Sequence, residues 1–215
     1  MARFFTALLW LFLAPLLLAA PDKWTAAIDK FTQQDATQPP PRNGVVFVGS
    51  SSIVKWTSLE KDFPGVKVIN RGFGGSELGD SVFYADRIVT PYAPRAVVVY
   101  AGDNDLSAGK TPEQVFADFK AFVAKVHAKL PDTRIVYIAI KPSPSRWKIK
   151  DKGEKANALI AAECAKNPKL RFVDVWKPML DAKGEPRPEL FVADMLHMNP
   201  AGYAIWTPLV AKELK

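Results

Sequence analysis

Val45-Val46-Phe47-Val48-Gly49-Ser50-Ser51-Ser52-Ile53 is the stretch on which the reading of this chain turns. Four consecutive apolar residues of strand-forming type run into a glycine and three hydroxyl side chains, and a new apolar spacing then begins at Ile53, Trp56 and Leu59. An unbroken apolar run fits a strand buried on both faces, and the change of spacing marks a helix after it. In open α/β sheets ligands sit beyond the carboxyl ends of the strands, so a serine at this junction stands where chemistry is usually found. The N–H groups that start the helix favour negative charge at the same spot. Serine is also a favoured N-cap, so Ser50 to Ser52 have a purely structural reading beside the chemical one. The second glycine of the Gly-x-Ser-x-Gly elbow is absent.

Outward from this junction, four more short apolar runs follow at residues 66–70, 96–100, 134–140 and 171–175. Helical spacing separates them. Trp24, Ile28 and Phe31 mark a helix over 22–36; Val115, Phe119, Phe122 and Val126 form a stripe within 113–130, and a further helix is expected over 151–166. Pro39-Pro40-Pro41 and Asn43-Gly44 give an extended approach and a turn into the first strand. Asn199 as N-cap and Pro200 at the first helical position start a last helix, with Tyr203, Trp206 and Val210 inward and a kink expected at Pro208. This alternation predicts a single three-layer α/β/α domain with a five-stranded parallel sheet.

The 215 residues are 48% hydrophobic and 24% charged, enough apolar material for one domain with a real core. The first twenty residues read differently. Arg3, an apolar run over 4–18 and the small residues Ala19-Ala20 have the form of a signal peptide cleaved near Ala20, because the run is shorter than the roughly 20 residues a spanning helix needs. An uncleaved anchor is the alternative. The domain then occupies residues 21–215, carries no later membrane span, and is exported to the periplasm or secreted. Cys164 is the sole cysteine, which excludes an internal disulfide. The net charge of +7 includes a cluster at Lys148, Lys150, Lys152 and Lys155, read as a solvated helix entrance. Nothing in the chain has the pattern of a nucleic-acid partner site.

Three further segments carry candidate chemistry. Asn70-Arg71-Gly72-Phe73-Gly74-Gly75-Ser76 follows the second strand and Ala101-Gly102-Asp103-Asn104-Asp105 the third; each alone is an ordinary turn. With the flavodoxin-like strand order 2-1-3-4-5, however, Ser51, Gly75 and Asn104 share one edge of the sheet. The third segment is Asp194-Met195-Leu196-His197, in which the carboxylate is able to hold one ring nitrogen and leave the other as a base. His127, the only other histidine, sits beside an apolar helical stripe and is read as structural. Asp103 and Asp105 have no histidine or cysteine near them in sequence, so they are read as a turn and not as a metal site.

The ordered set of these blocks resembles the SGNH hydrolase superfamily, the GDSL-type esterases and lipases. Gly49-Ser50-Ser51 matches its nucleophile block, residues 70–75 its glycine block, residues 102–105 its asparagine block and residues 194–197 its last block. Gly-Ser-Ser-Ser-Ile and Lys141-Pro142-Ser143-Pro144-Ser145-Arg146-Trp147 are in the style of one branch. The resemblance implies an SGNH α/β fold, Ser51 as nucleophile, His197 as general base, and Asp194 to orient it. The implied oxyanion hole is the backbone N–H of Ser51 and Gly75 and the side-chain amide of Asn104, with no cofactor and no metal. The family usually carries aspartate before the nucleophile; here that residue is Ser50, which leaves Ser52 as the second choice of nucleophile.

The expected function is an exported serine esterase acting on a small-molecule or carbohydrate ester. A short acyl group such as acetate is expected because no insertion long enough to form a lid interrupts the elements. Trp147, in the loop 141–150, stands as an apolar wall or sugar platform, with plain packing as the alternative. Two other readings compete: a carbohydrate-binding or acyl-transferring relative, and a flavodoxin-like module whose serine loop holds a flavin phosphate.

Overall fold

β1 (Val45–Gly49) is buried at all five positions, which follows from its place in the computed structural model, where residues 22–215 are described. The leader expected at residues 1–20 lies outside the described residues. On one side of β1 runs β2 (Val68–Gly72), parallel, with Val45 opposite Val68 and Gly49 opposite Gly72. On the other runs β3 (Ala96–Tyr100), also parallel, with Gly49 opposite Tyr100. β4 (Arg134–Ile138) and β5 (Leu170–Val173) complete a five-stranded parallel sheet in the order β2-β1-β3-β4-β5, the order expected above.

In chain order the helices are α1 (Asp22–Thr37), α2 (Ser51–Val54), α3 (Leu59–Asp62), α4 (Leu78–Ile88), α5 (Asp103–Ser107), α6 (Pro112–His127), α7 (Lys150–Cys164) and α8 (Pro200–Glu213). The two-residue period of the strands sorts them into two layers. Val46, Val48, Val97, Val99 and Tyr137 face α1, α4, α6 and α7, whose Ile28, Ile88, Phe119 and Ile160 close that core. Val45, Phe47, Val98, Val136 and Ile138 face Ile53, Trp56, Trp206 and Val210 from α2, its following turn and α8. Continuous apolar runs were therefore required, since both faces are covered.

Local signals fix the helix starts. Thr111 accepts from the Gln114 N–H while the Gln114 side chain accepts from the Thr111 N–H, a reciprocal cap with Pro112 at the first position. Asn199 accepts from the N–H groups of Ala201 and Gly202 and starts α8, which continues through Pro208 to Glu213.

The second strand lies two residues later than the 66–70 expected from its apolar run. Asn70 and Arg71 are polar yet belong to β2, because each is satisfied where it stands. The Asn70 amide donates to the Ile53 carbonyl at 2.8 Å and accepts from the Gly72 N–H at 2.9 Å. Arg71 donates to the Tyr92 hydroxyl at 2.8 Å and forms an ion pair with Asp35 of α1. That clasp, with Trp24 packed edge-on against Phe73 at 5.7 Å, holds α1 against the β2 edge of the sheet. Full burial of Ile28 adds roughly 2 kcal/mol to the same contact.

Candidate active site

Hydrogen bonds of the sheet continue past the ends of β1 and β2, so the loops leave side by side. The Ser50 N–H donates to the Tyr100 carbonyl at 3.0 Å and the Phe73 N–H to the Gly49 carbonyl at 2.9 Å. Gly49 adopts φ +132°, and a Cβ there would fall 1.9 Å from the Tyr100 carbonyl oxygen. No other residue fits the turn that aims Ser51 away from the sheet. Ser50 occupies the N-cap position of α2, but its side chain makes no capping bond. The structural reading of the serine run as a cap therefore fails at the residue best placed for it.

Ser51 meets the histidine. Its Oγ lies 2.9 Å from His197 Nε2, although 146 residues separate them. His197 Nδ1 lies 2.5 Å from Asp194 Oδ2, and Asp194 Oδ1 accepts from the backbone N–H groups of Leu196 and His197, both at 2.9 Å. Those bonds close a tight turn with Met195 at φ +54°, a left-handed conformation that costs a non-glycine residue energy. The bond to His197, followed by the two backbone N–H groups, holds the Asp194 carboxyl well below the usual carboxylate range. His127 is placed elsewhere: its Nε2 meets the Thr133 carbonyl at 2.9 Å at the end of α6.

Ser52 points into the protein and is 1% exposed. Its Oγ accepts from Lys141 Nζ at 3.3 Å and its carbonyl from the Tyr203 hydroxyl at 2.9 Å. Of the two serines, only Ser51 stands against His197.

Gly75 and Asn104 reach the same edge. Gly75 has φ +77°, and the Trp24 ring of α1 lies 3.3 Å from where a Cβ would stand. Among the described residues neither the Ser51 N–H nor the Gly75 N–H has an acceptor in the protein. Asn104 Nδ2 donates to the Ser76 carbonyl at 2.9 Å, which ties the β3 loop to the β2 loop and leaves one amide hydrogen over.

The description "GDSL-like Lipase/Acylhydrolase family" belongs to the family model that matches residues 46–205. The chain belongs to that family. It is thus a carboxylic ester hydrolase of the SGNH type, as the four blocks of sequence implied. Platelet-activating factor acetylhydrolase IB subunit alpha1 of Pongo abelii is 26% identical over 188 residues, covering 85% of this chain and 78% of that protein. A GDSL-like lipase from Bacteroides thetaiotaomicron shares the fold with a TM-score of 0.73 at 23% identity, covering 88% of this chain and 97% of its own length. A Streptococcus pneumonia protein gives a TM-score of 0.79 at 20% identity over 90% of this chain and 94% of its own. α1, which carries Trp24, lies before the matched residues.

Beneath the site, this GDSL-like hydrolase buries a charge pair that its sequence did not announce. Lys141, whose side chain is 1% exposed, sits 3.2 Å from Asp103 Oδ2 and donates to the Tyr100 hydroxyl at 3.0 Å. The Tyr100 hydroxyl in turn donates to Asp103 at 3.0 Å, and Arg146 Nη1 lies 3.6 Å from the same carboxylate. Burial pushes the Asp103 carboxyl up, but Lys141 and Arg146 outweigh it and the net direction is down. For Lys141 burial is the larger influence and its ammonium is pushed down, with Asp103 opposing. Asp105 is held separately by the Leu78 N–H and by Lys110, both at 3.1 Å. Asp103 Oδ2 and the Asp105 carboxylate thus have protein partners, and both residues lie in the first turn of the short helix α5 where the sequence reading expected a loop turn.

Breaking such a pair from one side strands a buried charge, which typically costs about 3–5 kcal/mol. Asp103→Asn should accordingly lower stability by about that amount in urea melts, and Asp103→Leu combined with Lys141→Met should lower it less than either change alone. A single mutant that melts with the parent would show that the pair carries no such strain.

Trp147 stacks on Trp176 at 6.0 Å and has Lys150 Nζ 4.8 Å from its ring centre. The cavity it lines with Asp103, Lys141 and Arg146 holds about 20 Å³. That is room for one water and far too little for a sugar ring.

Proposed function

We propose that the protein is an exported serine esterase that hydrolyses a short-acyl ester, an O-acetyl group above all, through an acyl-enzyme. The observation that carries this reading is the unbroken run from Asp194 through His197 to Ser51, with contacts of 2.5 and 2.9 Å. His197 Nε2 takes the Ser51 proton as Oγ attacks the ester carbonyl, and the same nitrogen returns it to the leaving alcohol. Water then repeats the sequence on the acyl-Ser51 and releases the acid. Asp194 holds the ring so that Nε2 is the basic nitrogen. The carbonyl oxygen, as it becomes an oxyanion, takes donors from the Ser51 N–H, the Gly75 N–H and Asn104 Nδ2, each worth about 100- to 1,000-fold in rate.

The acetyl preference draws on two supports. The relative from Pongo abelii has acetyl removal in its name, and among the described residues no inserted element covers the loops that carry Ser51 and His197. Trp147 then acts at the rim as a brace for its own loop, since its ring is taken up by Trp176 and Lys150. The leader-like residues 1–20 support export to the periplasm or beyond.

Purified protein given p-nitrophenyl esters of increasing length, together with acetylated sugars, should turn over the acetate at least about tenfold faster than an octanoate. A faster octanoate would replace the short-acyl reading by a lipase one. Release of acetate that is diverted onto an added sugar acceptor would instead favour acyl transfer by the same site.

A further inference from the structure

Asn104 presents an amide whose orientation is set by two opposed contacts. An asparagine amide is nearly symmetric in shape, and only its hydrogen-bond partners decide which end is oxygen. Here the partners allow no ambiguity. Arg146 Nη2 lies 2.8 Å from Asn104 Oδ1, and a guanidinium has donors only. The Ser76 carbonyl, 2.9 Å from Nδ2 on the other end, accepts only. A flipped amide would set N–H against N–H at one end and oxygen against oxygen at the other.

We infer that Arg146 is a positioning residue for the oxyanion hole: it locks the Asn104 amide so that one Nδ2 hydrogen goes to Ser76 and the other faces the reacting carbonyl. The inference rests on the proposed role of Asn104 as an oxyanion donor. Three features make Arg146 suited to the task. It comes from the turn Pro144–Ile149, whose Ser145 N–H donates to the Met195 carbonyl at 3.1 Å, so the residue that sets Asn104 is tied to the loop that carries His197. Its Nη1 lies 3.6 Å from the Asp103 carboxylate, one residue before Asn104, so an ion pair adds to the hydrogen bond in holding the guanidinium against this loop. Its positive charge polarises the amide in the direction that makes Nδ2 a stronger donor, an effect that grows in a partly dry site. A neutral donor at this place would supply the orientation without the polarisation.

The test is a double-mutant cycle read as kcat and KM on a chromogenic acetate ester, with melting curves for each protein. Asn104→Ala is expected to lower kcat about 100- to 1,000-fold. Arg146→Gln should lower kcat about 10- to 100-fold with KM within about threefold, because it removes the charge and the rigid fork that strengthen Asn104 as a donor only as the oxyanion forms. Combining the two should be no slower than Asn104→Ala alone, within about threefold. In Arg146→Ala, millimolar guanidinium should restore part of kcat, and it should restore none when Asn104 is also alanine. An Arg146→Gln loss of the same size in both backgrounds, or a loss under about twofold in the parent, overturns the inference while leaving Asn104 in place. A loss under about threefold for Asn104→Ala itself removes the oxyanion role, and this inference goes with it. Should Arg146→Gln melt early, Arg146→Lys serves in its place: its loss must appear in the parent background and vanish in the Asn104→Ala one.

Discussion

Replacing Ser51 by alanine is expected to lower kcat on an acetate ester by about 10⁴-fold or more, with the melting curve unchanged. Replacing Ser52 by alanine should leave kcat within about tenfold of the parent. The asymmetry follows from where the two hydroxyls go. Ser51 is partly exposed at the start of α2 and has a ring nitrogen 2.9 Å from its oxygen. Ser52 has a basic side chain near it too, Lys141 at 3.3 Å, and a Ser–Lys pair is chemically competent elsewhere. Access decides between them: a hydroxyl at 1% exposure beneath the sheet edge cannot meet an ester carbonyl. Ser52→Ala leaves Lys141 with Tyr100 and Asp103, so the loss is confined to one weak hydrogen bond. Active-site titration with a chromogenic organophosphonate should label the parent and Ser52→Ala once per chain and leave Ser51→Ala unlabelled. Ser51→Ala retaining more than about 1% of turnover would remove Ser51 from the role of nucleophile.

The parts of this site that could be read in the sequence are those whose chemistry is local. The β1 run ending in Gly49-Ser50-Ser51 is legible because a buried parallel strand has to be apolar throughout and has to stop at a turn. His197 was reached by elimination, since the chain holds two histidines and the other belongs to a helix stripe. The α8 start was legible from Asn199-Pro200 for the same local reason.

Where the reading slipped, distant partners were responsible. β2 was placed two residues early because its run was ended at Asn70, with Arg71 and Gly72 given to the loop, and only Ile53, Asp35 and Tyr92 make Asn70 and Arg71 acceptable strand residues. Lys141 and Arg146 stood in a quoted motif with no role attached. Their partners, Asp103 and Asn104, lie 38 and 42 residues earlier, and no periodicity links them. A signal was present in the position of Lys141, a charged side chain directly after the β4 apolar run, on the edge where the other loops gather. A charge at the end of a buried strand requires a counter-charge, and Asp103 at the end of the neighbouring strand was the candidate.

Asp194→Asn tests the remaining member of the proposed triad more sharply than alanine would, and should lower kcat about 10²- to 10⁴-fold without loss of fold. The argument runs through the two oxygens of the carboxylate. Oδ1 accepts the Leu196 and His197 N–H groups, so in the asparagine variant the amide oxygen is drawn to that end and the turn with Met195 survives. The NH₂ group is thereby forced toward His197 Nδ1, where it donates instead of accepting. Nδ1 must then be the lone-pair nitrogen and Nε2 must carry the hydrogen, which points a donor at Ser51 Oγ in place of a base. Asp194 is about half exposed, so water is able to mitigate the loss, and the lower end of the range allows for this. Because the carboxyl titrates far below neutrality, parent activity between pH 5 and 8 carries no contribution from its protonation, and the ratio of parent to variant should be governed by the tautomer over that window. Asp194→Ala, by contrast, loses the turn along with the tautomer, so its effect would mix position with proton transfer. An asparagine variant that turns over within about threefold of the parent would mean that the ring finds its working tautomer without Asp194, and the triad would reduce to a Ser51–His197 dyad.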